Sequence, residues 1–295
     1  TPDLPRTIQD PAQSLGRITQ LIALSVKAEV LTTQASPLFN GNRDYAGFKD
    51  NDGVNLFPAV YQAEKWSKAM LACQAAVQAC EQSNLSLYHF ISPGNIPSIP
   101  APLQTVMDIR QSVTENWEKN SEVIWALNTV FGLQSMAMPR LTNAMVQNMG
   151  GAPGNFAVPI GMAELFYSKN GVPITEDIGY DYRGRYSIAS VAADHKYYMK
   201  NGYQTIKMHM DREPRFYADL SFDGSCFFGN GQTDPENMLF VQARGGSSIA
   251  GPKDNIRVNV SGYWPSKLVN YQSVFGTEVT QASFRMPLIR LAGLY

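Results

Sequence analysis

Three histidines, three cysteines and a few carboxylates are the residues of this chain with the means to do chemistry. His89, His195 and His209 lie in unlike contexts, and Cys73, Cys80 and Cys226 form no C-x-x-C. An odd cysteine count without that spacing argues against a disulfide framework and against a zinc site. Cys73 and Cys80 stand seven apart in a predicted helix, so about 10 Å separates them along its axis, too far for a disulfide. All three are expected as buried, inert thiols. Asp194-His195 has the composition of a base with its orienting acid, although such a pair is more often a helix-surface hydrogen bond. Carboxylate pairs matter because a glycoside hydrolase needs two carboxyls about 5–9 Å apart across the scissile bond. Glu176-Asp177, and Asp211 with Glu213, qualify by type. Sequence neighbours rarely face one another across a substrate, and Arg212-Glu213-Pro214-Arg215 reads as a local ion-pair network. Gly150 to Gly154 is glycine-rich, but no Lys follows and no strand-to-helix context surrounds it, so it reads as a flexible loop. The signatures GxSxG, HExxH and GxxxxGK[ST] are absent. No catalytic residue, metal or cofactor is expected.

Composition narrows the ligand. The 295 residues are 44% hydrophobic, enough to bury a large core and to exclude intrinsic disorder. Net charge is −1 with no run of Lys or Arg, which leaves no electrostatic footprint for nucleic acid and no polybasic route to a membrane surface. Charged residues are 17% and aromatics 11%, including 14 Tyr. A surface poor in charge and rich in Tyr suits neutral, hydroxyl-bearing ligands. No apolar run approaches the ~18 residues of a membrane helix. Thr1-Pro2-Asp3-Leu4-Pro5 is not a signal peptide. The absent starting Met and the apolar pattern around Leu294-Tyr295 lead to the expectation of a piece of a longer protein.

Hydrophobic periodicity predicts helices over 16–33, 65–82, 103–116 and 162–168. Small Ser25 and Ala28 on the first predict close helix packing, and Pro37 ends it. The first two helices flank a loop of roughly 30 residues, longer than a plain helical hairpin uses. Residues 1–15, 91–102 and 172–187 read as loop, as does the stretch 130–161, which has little periodicity. A short strand is expected at 122–128, a helix at 187–199, extended segments at 215–222 and 227–228, and a strand at 256–260. Met286 to Tyr295 reads as the start of another helix.

Three stretches resemble the SusD/RagB family. Lys27-Ala28-Glu29-Val30-Leu31 runs into Ala35-Ser36-Pro37-Leu38-Phe39-Asn40-Gly41, like the family's helix and "ASPLFNG" sequel. Arg212-Glu213-Pro214-Arg215-Phe216-Tyr217-Ala218 with Phe222-Asp223-Gly224 matches its "REPRFYA…DG" string. Met286-Pro287-Leu288-Ile289-Arg290-Leu291-Ala292 looks like "FPLIRLADLY", with Gly293 where an acidic residue is usual. Weaker echoes are Glu64-Lys65-Trp66, Asn170-Gly171-Val172-Pro173, and Gly262-Tyr263-Trp264 with Lys267. Order and spacing agree over almost the whole chain.

The resemblance implies a mainly α fold: a tetratricopeptide-like helical-repeat scaffold with long irregular loops and a few short strands. It implies one SusD-like domain over 1–295, with scaffold in 1–120, ligand-binding loops in 121–285 and a further scaffold helix from 286. It also implies a non-catalytic protein of Bacteroidetes that binds glycan at the outer-membrane surface. Such a protein partners a SusC-like TonB-dependent transporter and touches the membrane only through a lipid anchor not present here. A peptide-binding member of the family and a glycoside hydrolase are the alternatives. The motif residues Ser36, Pro37, Asn40, Arg212, Glu213, Pro214, Arg215 and Phe216 read as structural, with Arg215 expected to make a buried charge-assisted bond. Trp66, Trp117, Trp125 and Trp264 read as core. Sugar rings stack on aromatics while amides and Arg bond their hydroxyls, so the ligand surface is expected in the loops 131–156 and 180–183. Its candidates are Phe131, Arg140, Asn148, Phe156, Tyr180 and Tyr182.

Overall fold

The computed structural model describes residues 3–94 and 98–295, with Ala12 described by its backbone alone. Of the loops expected at 1–15 and 91–102, Thr1, Pro2 and Asn95 to Pro97 lie outside the described residues. In chain order the helices are α1 (Pro11–Ser14), α2 (Gln20–Ala35), α3 (Glu64–Glu81), α4 (Ala101–Thr114), α5 (Gln134–Ala137), α6 (Asn143–Gln147), α7 (Ile160–Leu165) and α8 (Pro214–Asp219). The strands are β1 (Val123–Val130), β2 (Ile188–Ser190), β3 (Gln204–Ile206), β4 (Cys226–Phe227), β5 (Leu239–Phe240), β6 (Val274–Phe275), β7 (Val279–Thr280) and β8 (Arg285–Arg290). The chain divides into two compact units: 1–87 with 117–129 and 285–295, and 88–116 with 130–284.

The first unit is built on α2 and α3. Thr19 caps α2 by accepting the Ile22 N–H, and Ser36-Pro37 stops it, with the Ser36 hydroxyl donating to Thr33 O at 2.7 Å. Ser25 and Ala28 are fully buried, which lets the helices approach closely. Leu21, Ile22 and Ala28 pack with Ala76 and Cys80 of α3 and with Ile124, Ile289 and Leu291. Burial pushes the Cys80 thiol up to about 11, so it stays protonated. The β1–β8 pair completes the unit, and there the Arg290 guanidinium donates to buried Glu122 at 2.9 Å.

Asn40 closes the long loop between the helices. Its amide donates to Ala35 O (3.3 Å) and Gln62 O (3.0 Å) and accepts from Gln62 N–H (2.9 Å). Gly41 follows at φ +83°, where a Cβ would lie 2.7 Å from Tyr61 N, so glycine is required. Inside the loop Phe57 stacks on Phe39 and contacts Tyr45 and Phe48. Asn40→Ala is expected to cost roughly 1–3 kcal/mol, because the buried Ala35 carbonyl and the part-buried Gln62 backbone groups lose their partner. Chemical denaturation measures this, and a loss within about 0.5 kcal/mol, the scale of a neutral surface substitution, would remove the role assigned to Asn40.

The second unit carries the loops. Its ribbons are short antiparallel pairs: Ile188↔Ile206 in β2–β3, Cys226↔Phe240 in β4–β5 and Val274↔Thr280 in β6–β7. One core gathers Phe216, Tyr217, Leu220, Phe222 and Tyr263, and a second gathers Met138, Met145, Phe227, Trp264 and Phe275. Trp264 is 2% exposed and donates to Gly154 O at 2.7 Å, so this ring is core, as its sequence context implies.

Several local expectations are overturned. Residues 215–222 do not extend: Pro214 at the first position of α8 presets φ for a helix, and α8 buries Phe216, Tyr217 and Ala218. The apolar run from Met286 is β8 and not a helix, since Leu288 faces out while Ile289 is buried, a two-residue alternation. Residues 187–199 form β2 and a single 3-10 turn, and 256–260 contain no strand. The stretch 130–161 holds one-turn helices, with Thr142 capping α6 through the Met145 N–H.

Arg215 is the clearest correction. Its side chain is 57% exposed and pairs with its neighbour Glu213 at 2.8 Å. The buried guanidinium of the motif is Arg212, which donates to Ala163 O and Phe166 O (2.7 Å each), Met208 O (2.8 Å) and Tyr167 O (3.3 Å). Its plane lies 4.4 Å over the Phe216 ring.

Candidate functional site

The 180–186 loop holds the most developed polar and aromatic surface of the second unit. Gly184 N–H bonds to Asp181, whose other oxygen pairs with Lys207 at 3.1 Å, and this fixes the turn. Arg185 then lies between two rings, 3.9 Å over Tyr182 and 4.3 Å over Tyr186. Its Nε donates to Glu164 of α7 at 2.6 Å, and the Tyr186 hydroxyl donates to the same oxygen at 2.7 Å. The bonds from Tyr186 and then Arg185 hold the Glu164 carboxyl below the usual carboxylate range. Tyr182 is half-buried and Tyr186 is exposed. The result is a shelf of two phenol rings with a guanidinium and a carboxylate locked beside them, suited to an apolar sugar face and its hydroxyls.

Tyr180 stands apart from that sandwich. It is half-buried, its hydroxyl donates to Met208 O at 3.2 Å, and burial pushes its phenol up. Phe131 is half-buried against Phe284, centroids 5.2 Å apart. Phe156 packs against the core around Trp264, and its carbonyl accepts from Asn259. Arg140 is 2% exposed and donates to Pro153 O, Gly251 O and Arg257 O between 2.9 and 3.2 Å. Asn148 donates to Gly276 O and Thr277 O at the β6–β7 turn and accepts from Gly151 N–H. Arg140 thus spends its two terminal nitrogens, and Asn148 its amide, on backbone. In the sequence Arg185 and Tyr186 are visible only as members of the loop expected over 172–187. Glu164 was not visible at all, because 21 residues and a helix boundary separate it from the arginine it holds.

The catalytic candidates are engaged elsewhere. Asp177 accepts from the Ser168 hydroxyl, Gly179 N–H and Asn170. Asp211 pairs with Lys169 and Glu213 with Arg215, both at 2.8 Å. His195 bonds its neighbour Asp194 at 2.8 Å on the surface of a 3-10 turn. His209 is buried between Thr205 and Tyr263, and desolvation drives it down to about 3. Among the described residues no three His, Cys, Asp or Glu cluster as a metal ion would need, and no helix is long and apolar enough to cross a membrane.

The SusD family description matches residues 121–295, and the chain belongs to that family. BT4246 shares 26% identity at a TM-score of 0.78, covering 99% of this chain and 51% of its own. Its selenomethionine form gives 26% and 0.75, covering 99% and 52%. A SusD-like protein, BF3747 from Bacteroides fragilis NCTC 9343, shares the fold at 15% identity and a TM-score of 0.57, covering 99% and 44%. This chain therefore spans about half the length of the solved structures it matches. No curated protein matches it.

Proposed function

We propose that this chain is the ligand-capturing part of a non-catalytic surface protein that binds oligosaccharide and hands it to a SusC-like TonB-dependent transporter. The family is associated with nutrient binding at the outer membrane, and its members are generally non-catalytic. The proposal extends to a lipid-anchored, cell-surface location and to α2–α3 as one unit of a tetratricopeptide-like scaffold bearing the binding loops. The observation that carries it is the Tyr182–Arg185–Tyr186 sandwich locked to Glu164. Its rings are held by neighbours, so stacking a sugar orders few new groups.

The test is affinity electrophoresis against a panel of polysaccharides, with peptides as a separate arm. Tyr182→Ala and Tyr186→Ala are each expected to weaken binding about 5- to 30-fold, the equivalent of roughly 1–2 kcal/mol for one stacked face. Phe131→Ala, Phe156→Ala and Tyr180→Ala test the remaining platforms. Wild-type binding in all five folded variants would place the site elsewhere, and released products would replace capture with hydrolysis.

A further inference from the structure

Helix α4 carries an arginine into the interior of the second unit. Arg110 is 3% exposed, and its guanidinium lies 4.1 Å over the Phe227 ring. Its Nε donates to Val269 O at 3.1 Å and its Nη1 to Phe228 O at 3.0 Å. Its Nη2 has no partner in the protein. The same side chain lines a narrow cavity of about 10 Å³, walled by Leu103, Val106, Phe228, Met238 and Ser266. Carbonyls hold the other two nitrogens, so Nη2 is the group left to serve that space.

The other buried guanidiniums are better served. Arg212 spends all three nitrogens on four carbonyls. Arg140 uses both terminal nitrogens and feels the Asp254 carboxylate. Arg110 leaves a terminal nitrogen unused, and among the described residues no carboxylate pairs with it. Burial pulls it down to about 9, still well above neutral pH, so its positive charge persists. A buried charge is costly unless it is paired, and carbonyls and a ring face supply dipoles without a counter-charge. The cavity sets what can complete it. Its volume suits one water or one monatomic ion, and phosphate, sulfate and carboxylate groups are too large. A water would satisfy the N–H groups but leave the charge unbalanced. A halide does both, and the apolar walls strengthen its attraction to the cation. We infer that one chloride-sized monovalent anion binds against Arg110 Nη2 in this cavity. It ties α4 to the segments that carry Phe228 and Val269.

The test is urea unfolding of the full-length protein in sodium chloride, with sodium gluconate holding ionic strength constant because gluconate is too large to enter. Above the dissociation constant, each tenfold rise in chloride is expected to raise the folding equilibrium constant about tenfold, the linkage of one bound ion. Arg110→Met fills much of the same space without the charge, and its unfolding midpoint is expected to be independent of chloride. Crystals of the wild-type protein grown in sodium chloride give a second reading that needs no variant. At long X-ray wavelength chlorine scatters anomalously and oxygen does not, so an anomalous peak is expected beside Nη2. Density there without an anomalous signal identifies a water and overturns the inference. The same chloride response in wild type and Arg110→Met overturns it too. Should the variant fail to fold, diffraction decides alone.

Discussion

Arg212→Ala is expected to abolish stable folding or to cost at least about 3–5 kcal/mol, the scale of losing a buried charged hub. Its guanidinium serves four carbonyls, at Ala163, Phe166, Tyr167 and Met208, and each would be left without that donor in a desolvated site. Arg212→Lys restores the charge but not the planar fork, and it should recover only part of the loss. Arg215→Ala, three residues on, is expected to cost less than about 1 kcal/mol, because its pair with Glu213 is solvent-exposed and screened. Thermal and urea unfolding of the three variants measure the contrast. Equal losses at both positions would show that the hydrogen-bonding hub is not what the motif supplies.

A second large effect should follow pH. The Thr205 hydroxyl donates to Asp223 O at 2.7 Å, so it accepts from His209 Nδ1–H, and Nε2 then accepts from the Tyr263 hydroxyl at 2.8 Å. The neutral ring is thereby fully bonded. Arg212 and the rings of Phe216 and Phe222 also face it, so no carboxylate among these neighbours welcomes a proton. Desolvation, and then the Arg212 charge, lower His209 from 6.5 to about 3. Below pH 6.5 the unfolded chain binds a proton that the folded chain refuses. Stability is therefore complete above that pH and declines as pH falls toward 3. The slope is ~1.4 kcal/mol per pH unit, or about 2 kcal/mol between pH 7 and 5. His209→Asn should lack this component whatever its absolute stability. Urea unfolding of both proteins at the two pH values tests it, and parallel pH dependences would refute the assignment.

The sequence made some elements legible because one physical rule dominated them. Helices α2, α3 and α4 follow the helical apolar period to within a few residues. Strand β1 follows weak alternation in a β-branched run. Elsewhere two rules competed. Leu288, Ile289, Leu291 and Ala292 fit a helix or a strand, and pairing with β1 decides for the strand. Around Pro214, aromatic and charged neighbours suggested extension, but the helix has only to start at the proline. The site was harder to read for a different reason. Aromatic and amide content drew attention to 131–156, yet content does not reveal which polar atoms are already committed. Arg140 and Asn148 bond backbone, while Arg185 is held by a carboxylate on another element. Which arginine of Arg212 and Arg215 turns inward is likewise set by the fold around the motif.

The loops of the second unit are stitched by side chains to main-chain carbonyls. Arg140 grips Pro153, Gly251 and Arg257, and Asn148 grips Gly276 and Thr277. Every amino acid brings the same carbonyl, so these clamps are blind to the identity of what they hold. Residues at the gripped positions other than Gly251, where a Cβ would collide with the Gly245 carbonyl, can therefore be exchanged without undoing the clamp, provided the backbone angles remain accessible. The cost of change falls on a few anchoring side chains, while the outward-facing side chains of these loops stay open to drift. That surface can be rewritten residue by residue with the loop path unchanged.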